Sequence, residues 1–192
     1  GGCPIDYNQQ RLRSLSDWRQ PTEGTPDHFA ACSKLAGVPD NRFGSEPALE
    51  GASYGGLVLF SRSKWRYREY LSTELIRDLA PGEWVCVSAW VSAAEQAGIV
   101  ADGFGVLLSE AMPRGERDFA LELAPQLVNP QGHFLEAKDC WVNLSDAVQA
   151  IGGERWLTIG NFDAKGHTRI AASADAPKDA TKWAYVYVDG VE

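Results

Sequence analysis

Apolar and polar positions alternate along this chain in short bursts with a period of two, and sustained helical periodicity is scarce. The bursts are 54–63 (YGGLVLFSRS), 68–75 (REYLSTEL), 84–92 (WVCVSAWVS), 103–110 (GFGVLLSE), 140–145 (CWVNLS), 155–162 (RWLTIGNF) and 182–191 (KWAYVYVDGV), all rich in β-branched and aromatic residues. Breakers stand between them: APGE, MPRGE, NPQGH, IGGE and DAPKD. Alternation is cleanest in the last burst, where Ala184, Val186 and Val188 share one face and Tyr185, Tyr187 and Asp189 the other. In 155–162, Leu157 and Ile159 fall with Asn161, opposite Trp156, Thr158 and Phe162. The pattern predicts an all-β antiparallel sandwich forming one domain over residues 1–192. Residues 143–160 read either as a short helix over SDAVQAIGGE or as two strands joined by a turn at Gly152 and Gly153.

Composition narrows the function classes. An apolar fraction of 44% supplies a core, and a net charge of −8 with scattered Lys and Arg argues against nucleic acid, whose phosphates need a basic footprint. No apolar run approaches the roughly 20 residues of a spanning helix. The chain opens without Met or a basic-then-apolar leader, which fits a secretory leader either removed in maturation or trimmed from the sequence as given. Four widely spaced cysteines without a C-x-x-C pair fit an oxidising compartment and up to two disulfides. Three pairings exist. Cys3 with Cys32 is the one expected, because both lie in aperiodic segments that otherwise have little to hold them; a lipidated Cys3 is the rival, since GGC resembles the end of a lipobox. Cys86, inside an apolar strand pattern, reads as a small buried thiol.

Catalytic signatures are missing. The histidines, His28, His133 and His167, are isolated, with no H-x-H or H-E-x-x-H spacing, and there is no G-x-S-x-G elbow or phosphate-cradling Gly-rich loop. A non-catalytic module is expected. Sugar binding asks for flat aromatic faces beside amide, acid and guanidinium groups. Trp65, Tyr67, Arg68 and Tyr70 form the densest such cluster, and Trp18, Asp27, Asn41 and Arg42 lie in the two preceding loops. The opening run WRQPTEGTPDHFAACSK (18–34) admits two readings. It is a loop tied down by Pro21, Pro26, turn-forming Thr22, Thr25 and Asp27, and the anchors Trp18 and Phe29, or it presents Asp27 or His28 to a ligand.

Five stretches in order, Cys3–Cys32, Gly37–Ser61, Tyr67–Ala97, Gly152–Phe162 and Ala184–Val191, carry a Cys-Pro, W-x-x-P-T-x-G-T-P-D-x-F, Y-R-E-Y and G-G-E-x-x-x-T-I-G-N-F. This set resembles a jelly-roll domain of gliding-motility-associated and outer-membrane-protein-A-like surface proteins of Gram-negative gliding bacteria. The resemblance implies a galactose-binding-like jelly roll, an architecture shared with many carbohydrate-binding modules, in a secreted, cell-surface, outer-envelope or periplasmic setting. The resemblance supplies no ligand; taken with the aromatic cluster, a glycan or cell-envelope component is the expected partner, with a structural or adhesive envelope subunit that binds protein through a sheet edge as the alternative and a hydrolase third. In related sandwiches an acidic residue of an extra first strand joins an Asp of the last strand around a structural calcium. Asp189 matches only the second partner, and the sequence as given starts at GGCP.

Overall fold

The computed structural model describes residues 2–4, 12, 15–63, 67–163 and 166–192. Fourteen strands and no helix occur among them: β1 (Trp18–Arg19), β2 (Asp27–Ala30), β3 (Asp40–Asn41), β4 (Gly44–Ser45), β5 (Ser53–Ser61), β6 (Tyr70–Glu74), β7 (Trp84–Ala93), β8 (Ile99–Ala101), β9 (Gly105–Ser109), β10 (Leu127–Val128), β11 (Val142–Gln149), β12 (Trp156–Gly160), β13 (Ile170–Ala172) and β14 (Trp183–Asp189). The expected bursts coincide with β5, β6, β7, β9, β11, β12 and β14. The alternative of a helix in 145–154 is replaced by strand to Gln149, followed by a turn in which Gly152 and Gly153 have φ of 113° and 91°.

Two antiparallel five-stranded sheets face each other, ordered β1-β6-β12-β9-β10 and β11-β7-β14-β5-β2, with β8-β13 and β3-β4 as small ladders. From β5 onward the chain crosses between the two large sheets at each step, through β6, β7 and β9; β9 and β10 pair in one sheet, and crossing resumes through β11, β12 and β14. That path is a jelly roll, so the expected fold class holds. β11 and β12, though joined by a turn, lie in opposite sheets.

The inner faces meet in an aliphatic core. Leu57, Leu59, Val87, Ala89, Val91, Val186 and Val188 from one sheet pack on Leu71, Val106, Leu108, Leu157 and Ile159 from the other. A second apolar layer covers the outer face of the β5–β14 region. Tyr54, Tyr185 and Tyr187 point outward there with Phe29 of β2, and the segment 31–52 folds over them. Phe43 stacks on Tyr185 with ring centres 4.0 Å apart. The polar tips are satisfied under this cap: Tyr185 donates to Asp27 (2.6 Å), Tyr187 donates to Asn41 Oδ1 (2.9 Å), and Asn41 Nδ2 donates to the Tyr54 hydroxyl (3.1 Å). A Cβ on Gly56 would stand 2.1 Å from the Tyr185 hydroxyl, so only glycine admits this layer. Both faces of β14 are therefore buried, where alternation alone called for one.

Cys3 and Cys32 form a disulfide with Cα atoms 6.0 Å apart, as expected, and the bridge displaces the lipidation reading of Cys3. Cys86 corrects the buried-thiol expectation: it lies on the outward face of β7 and is an exposed free thiol, as is Cys140. β11 is an edge strand, paired only with β7 from Val142↔Val91 to Gln149↔Trp84. Asp146 stands in register with inward-facing Val87, yet is exposed, and its carboxylate accepts the N–H of Ala147 (2.7 Å). A charge at a core-facing position of an edge strand discourages a further strand from adding there.

Candidate ligand-binding site

The sandwich opens at the end where β1, β2 and the tail of β14 meet, in a pocket of about 300 Å³. β2 pairs with β5 in the register Asp27↔Gly56, His28↔Gly55, Phe29↔Tyr54. Alternation along β2 therefore sends Asp27 and Phe29 to the aromatic cap and His28 to the pocket. Trp18, from the two-residue edge strand β1, forms another wall, with its own strand held on β6 through Trp18↔Thr73. Ser53 and Asp189 add polar groups, while Leu15, Leu71, Ile159, Val188 and Val191 make an apolar floor.

Burial lowers the His28 pKa below its ordinary 6.5, so the imidazole is neutral at pH 7, with one ring nitrogen donating and the other accepting. The Asp189 carboxylate is already engaged by main-chain donors. Its Oδ2 accepts the N–H groups of Leu49 (2.9 Å) and Glu50 (3.2 Å), and Oδ1 accepts that of Gly190 (2.9 Å). Asp189 thus acts as a cap for the loop at 49–50. Calcium takes six to eight oxygen ligands, and among the described residues no group of three or more His, Cys, Asp or Glu side chains is placed to hold a metal.

A second concavity, of about 60 Å³, opens on the cap side and brings together Asp27, Arg42 and Tyr67 of the expected set with Thr25, Glu69, Trp183 and Tyr185. Glu69 is fully enclosed there. Its Oε2 accepts the Val58 N–H (2.7 Å), and Oε1 accepts the hydroxyls of Tyr67 and Thr25. Burial raises its pKa despite these donors. Protonation is thus favoured in the folded protein: the contribution to stability is complete below the unfolded value near 4.5 and is lost as pH rises through the raised folded value. Unfolding in urea across that window should show Glu69→Gln abolishing this part of the decline; an unchanged pH profile would mean that the carboxyl stays ionised throughout.

The eight sugar-site candidates do not converge on one place. Trp18 lines the larger pocket, and Asp27, Arg42 and Tyr67 the smaller. Asn41 is a bracket beneath the cap. Arg68, 3% exposed, lays its guanidinium 4.7 Å from the Phe60 ring centre and donates to the Tyr67 carbonyl (2.9 Å). Tyr70, 0% exposed, is core and offers no ring face to a ligand. Trp65 lies outside the described residues. Sequence reasoning missed Ser53, Glu69 and Trp183, and weighed His28 without placing it among the sugar-site residues. The signal for His28 was the alternation across 27–30, which separates it from Asp27; for Trp183 it was its outward position in step with Tyr185.

No family model matches the sequence, and no curated protein matches it. Solved structures do. The CBM22-2 xylan-binding domain of Paenibacillus barcinonensis Xyn10C aligns over 98% of this chain and 95% of its own, with 12% identity and a TM-score of 0.47. The K1 cleaved adhesin domain of Lys-gingipain from Porphyromonas gingivalis W83 aligns over 100% and 96%, again with 12% identity and a TM-score of 0.47. The K2 cleaved adhesin domain of Lys-gingipain aligns over 96% and 92%, with 11% identity and a TM-score of 0.44. The jelly roll itself rests on the strand ladders described above. No helix among the described residues is long and apolar enough to cross a membrane.

Proposed function

We infer that this chain is a non-catalytic binding module of an exported or cell-surface protein, and that it holds a carbohydrate in the pocket walled by Trp18, His28 and Ser53. The observation that carries the reading is the pairing of a large aromatic wall with a neutral imidazole and a hydroxyl around a pocket of about 300 Å³. That size is at the lower end for small-molecule sites and suits one sugar ring, so a chain end or a branch is the natural ligand. The C–H face of a pyranose covers the indole, and its hydroxyls meet the polar edge made by His28 and Ser53. The Cys3–Cys32 bridge supports an oxidising compartment. The expected kinship with bacterial surface-protein domains belongs to this same proposal.

A glycan array followed by calorimetry tests it. Trp18→Ala and His28→Ala should each weaken binding of the selected glycan about tenfold or more, at a temperature where both variants remain folded by circular dichroism. A selective glycan bound equally well by both variants would overturn the assignment of the pocket.

A protein-binding role is the second reading. It is favoured by Trp84, 65% exposed on the outward face of β7 beside exposed Cys86. The Asp146 guard on β11 argues against a strand-adding mode for it.

A further inference from the structure

The Trp18 pocket changes in character from mouth to floor. Ser53, exposed, and His28, half-buried, stand at the mouth, while Leu71, Ile159 and Val188, all buried, line the depth. Leu71 and Ile159 come from one sheet and Val188 from the other, and all three belong to the aliphatic core. The pocket is therefore a wedge between the two sheets, continuous with the core at its inner end.

Gly55 marks the same place from β5. It pairs with His28 on one side and Val188 on the other, lines the pocket, and has no positive φ to account for it. A Cβ built there would stand 2.7 Å from Leu71 Cδ1, the free end of a side chain that can turn aside, and the next neighbour, the Val188 carbonyl oxygen, is 3.7 Å away. The fold thus admits alanine at 55, in contrast to Gly56 beneath the Tyr185 hydroxyl. A glycine inside a strand often marks the close approach of a ligand, and here it keeps the floor deep. A bare pyranose suits the mouth but not that floor. Hydroxyls turned toward Leu71 and Ile159 would shed water and find no polar partner, whereas a methyl group gains by the same transfer.

Resting on the carbohydrate reading of this pocket, we propose that it selects an N-acetylated amino sugar, with the ring on Trp18, the amide beside Ser53 and His28, and the acetyl methyl on the floor between Leu71 and Val188. The acetamido group matches both levels, because its N–H and C=O need polar surroundings and its methyl needs none. Its planar amide also carries the methyl clear of the ring edge. A 6-deoxy sugar bears its methyl close to the ring, so seating it would draw hydroxyls down with it. An amino sugar without the acetyl group would bring an ammonium to an apolar floor. A long acyl chain would leave no room for the ring in about 300 Å³.

The test is an NMR titration with two matched pairs, the methyl glycosides of N-acetylglucosamine and glucose, and of N-acetylgalactosamine and galactose. In at least one pair the acetamido sugar should bind about fivefold or more tightly than its hydroxyl counterpart. Its acetyl methyl should show Overhauser contacts to the methyl groups of Leu71, Ile159 and Val188. Gly55→Ala should remove the advantage while unfolding in urea near the midpoint of the unmodified protein; if that variant does not fold, the Overhauser contacts of the unmodified protein decide alone. Missing contacts, or an advantage undiminished in folded Gly55→Ala, would overturn the proposal. Equal binding within both pairs, lost on Trp18→Ala, would keep the pocket as a sugar site and remove the acetyl assignment. Binding of none of the four sugars would remove it too, with the glycan array deciding the carbohydrate reading separately. Acetamido sugars held without those contacts and indifferent to Trp18→Ala would remove both.

Discussion

Tyr70→Ala should destabilise the protein by about 5 kcal/mol, enough to leave much of it unfolded. Deleting a buried aromatic ring costs about 3–5 kcal/mol through lost burial and the cavity left behind. Here the ring is fully enclosed against Phe162, with centres 5.2 Å apart, and its hydroxyl ties two distant segments. It donates to the Asn161 carbonyl and accepts the Leu121 N–H (2.9 Å). Truncation strands both main-chain groups, each worth about 1–3 kcal/mol when buried and unmet. Gly160 gives the ring room, since a Cβ there would stand 2.3 Å from it. Tyr70→Phe isolates the hydroxyl and should cost about 2 kcal/mol. Urea unfolding of both variants checks the ledger; a loss near zero for Tyr70→Ala would return the ring to the surface and reopen it as a sugar platform.

Opening the Cys3–Cys32 bridge should be the other large loss. It closes a segment with a sequence separation of 29, for which the chain-entropy relation gives about 3–4 kcal/mol. Its consequence is local as well as global, because Cys32 directly follows β2 and the turn after it, where Ala30 donates its N–H to the Ala36 carbonyl (2.9 Å) and Ala31 to that of Ala52 (2.9 Å). Those bonds begin the segment that caps Tyr54 and Tyr185. Comparing Cys3→Ser/Cys32→Ser with the oxidised protein in thermal and urea unfolding should show the midpoint falling, and should show the ring signals of the Phe43–Tyr185 stack in near-ultraviolet circular dichroism weakening first. A double variant as stable as the oxidised protein would mean that the bridge merely decorates segments already fixed by β2.

The strands of this fold announce themselves because a two-residue period over five or more residues is hard to produce otherwise. In 184–189 the faces were legible residue by residue. The cover over the outward face was not, because it comes from 31–52, whose only regular structure is the two-residue pair β3–β4 and whose hold depends on Phe43 and Asn41 meeting tyrosines far along the chain. Strands as short as β1, β3, β4 and β10 contain no full period and leave no trace in the pattern. The candidate site suffered from the same limit in another form. An aromatic in a strand reads alike whether it faces core or water, so Tyr70 and Tyr67, three residues apart, looked equivalent. The third dimension separates them: one is sealed beneath Phe162, the other borders a cleft with Asp27. Proximity in sequence also grouped Trp18 with Asp27, although β2 turns its successive side chains to opposite sides of a sheet.

The carboxylate of Asp146 has a bearing on how this protein behaves in company. β11 is the longest edge among the described strands, and a second molecule laying its own backbone alongside would have to strip water from that acid. Each encounter in that orientation carries that desolvation cost, so a single side chain disfavours edge-to-edge growth along β11.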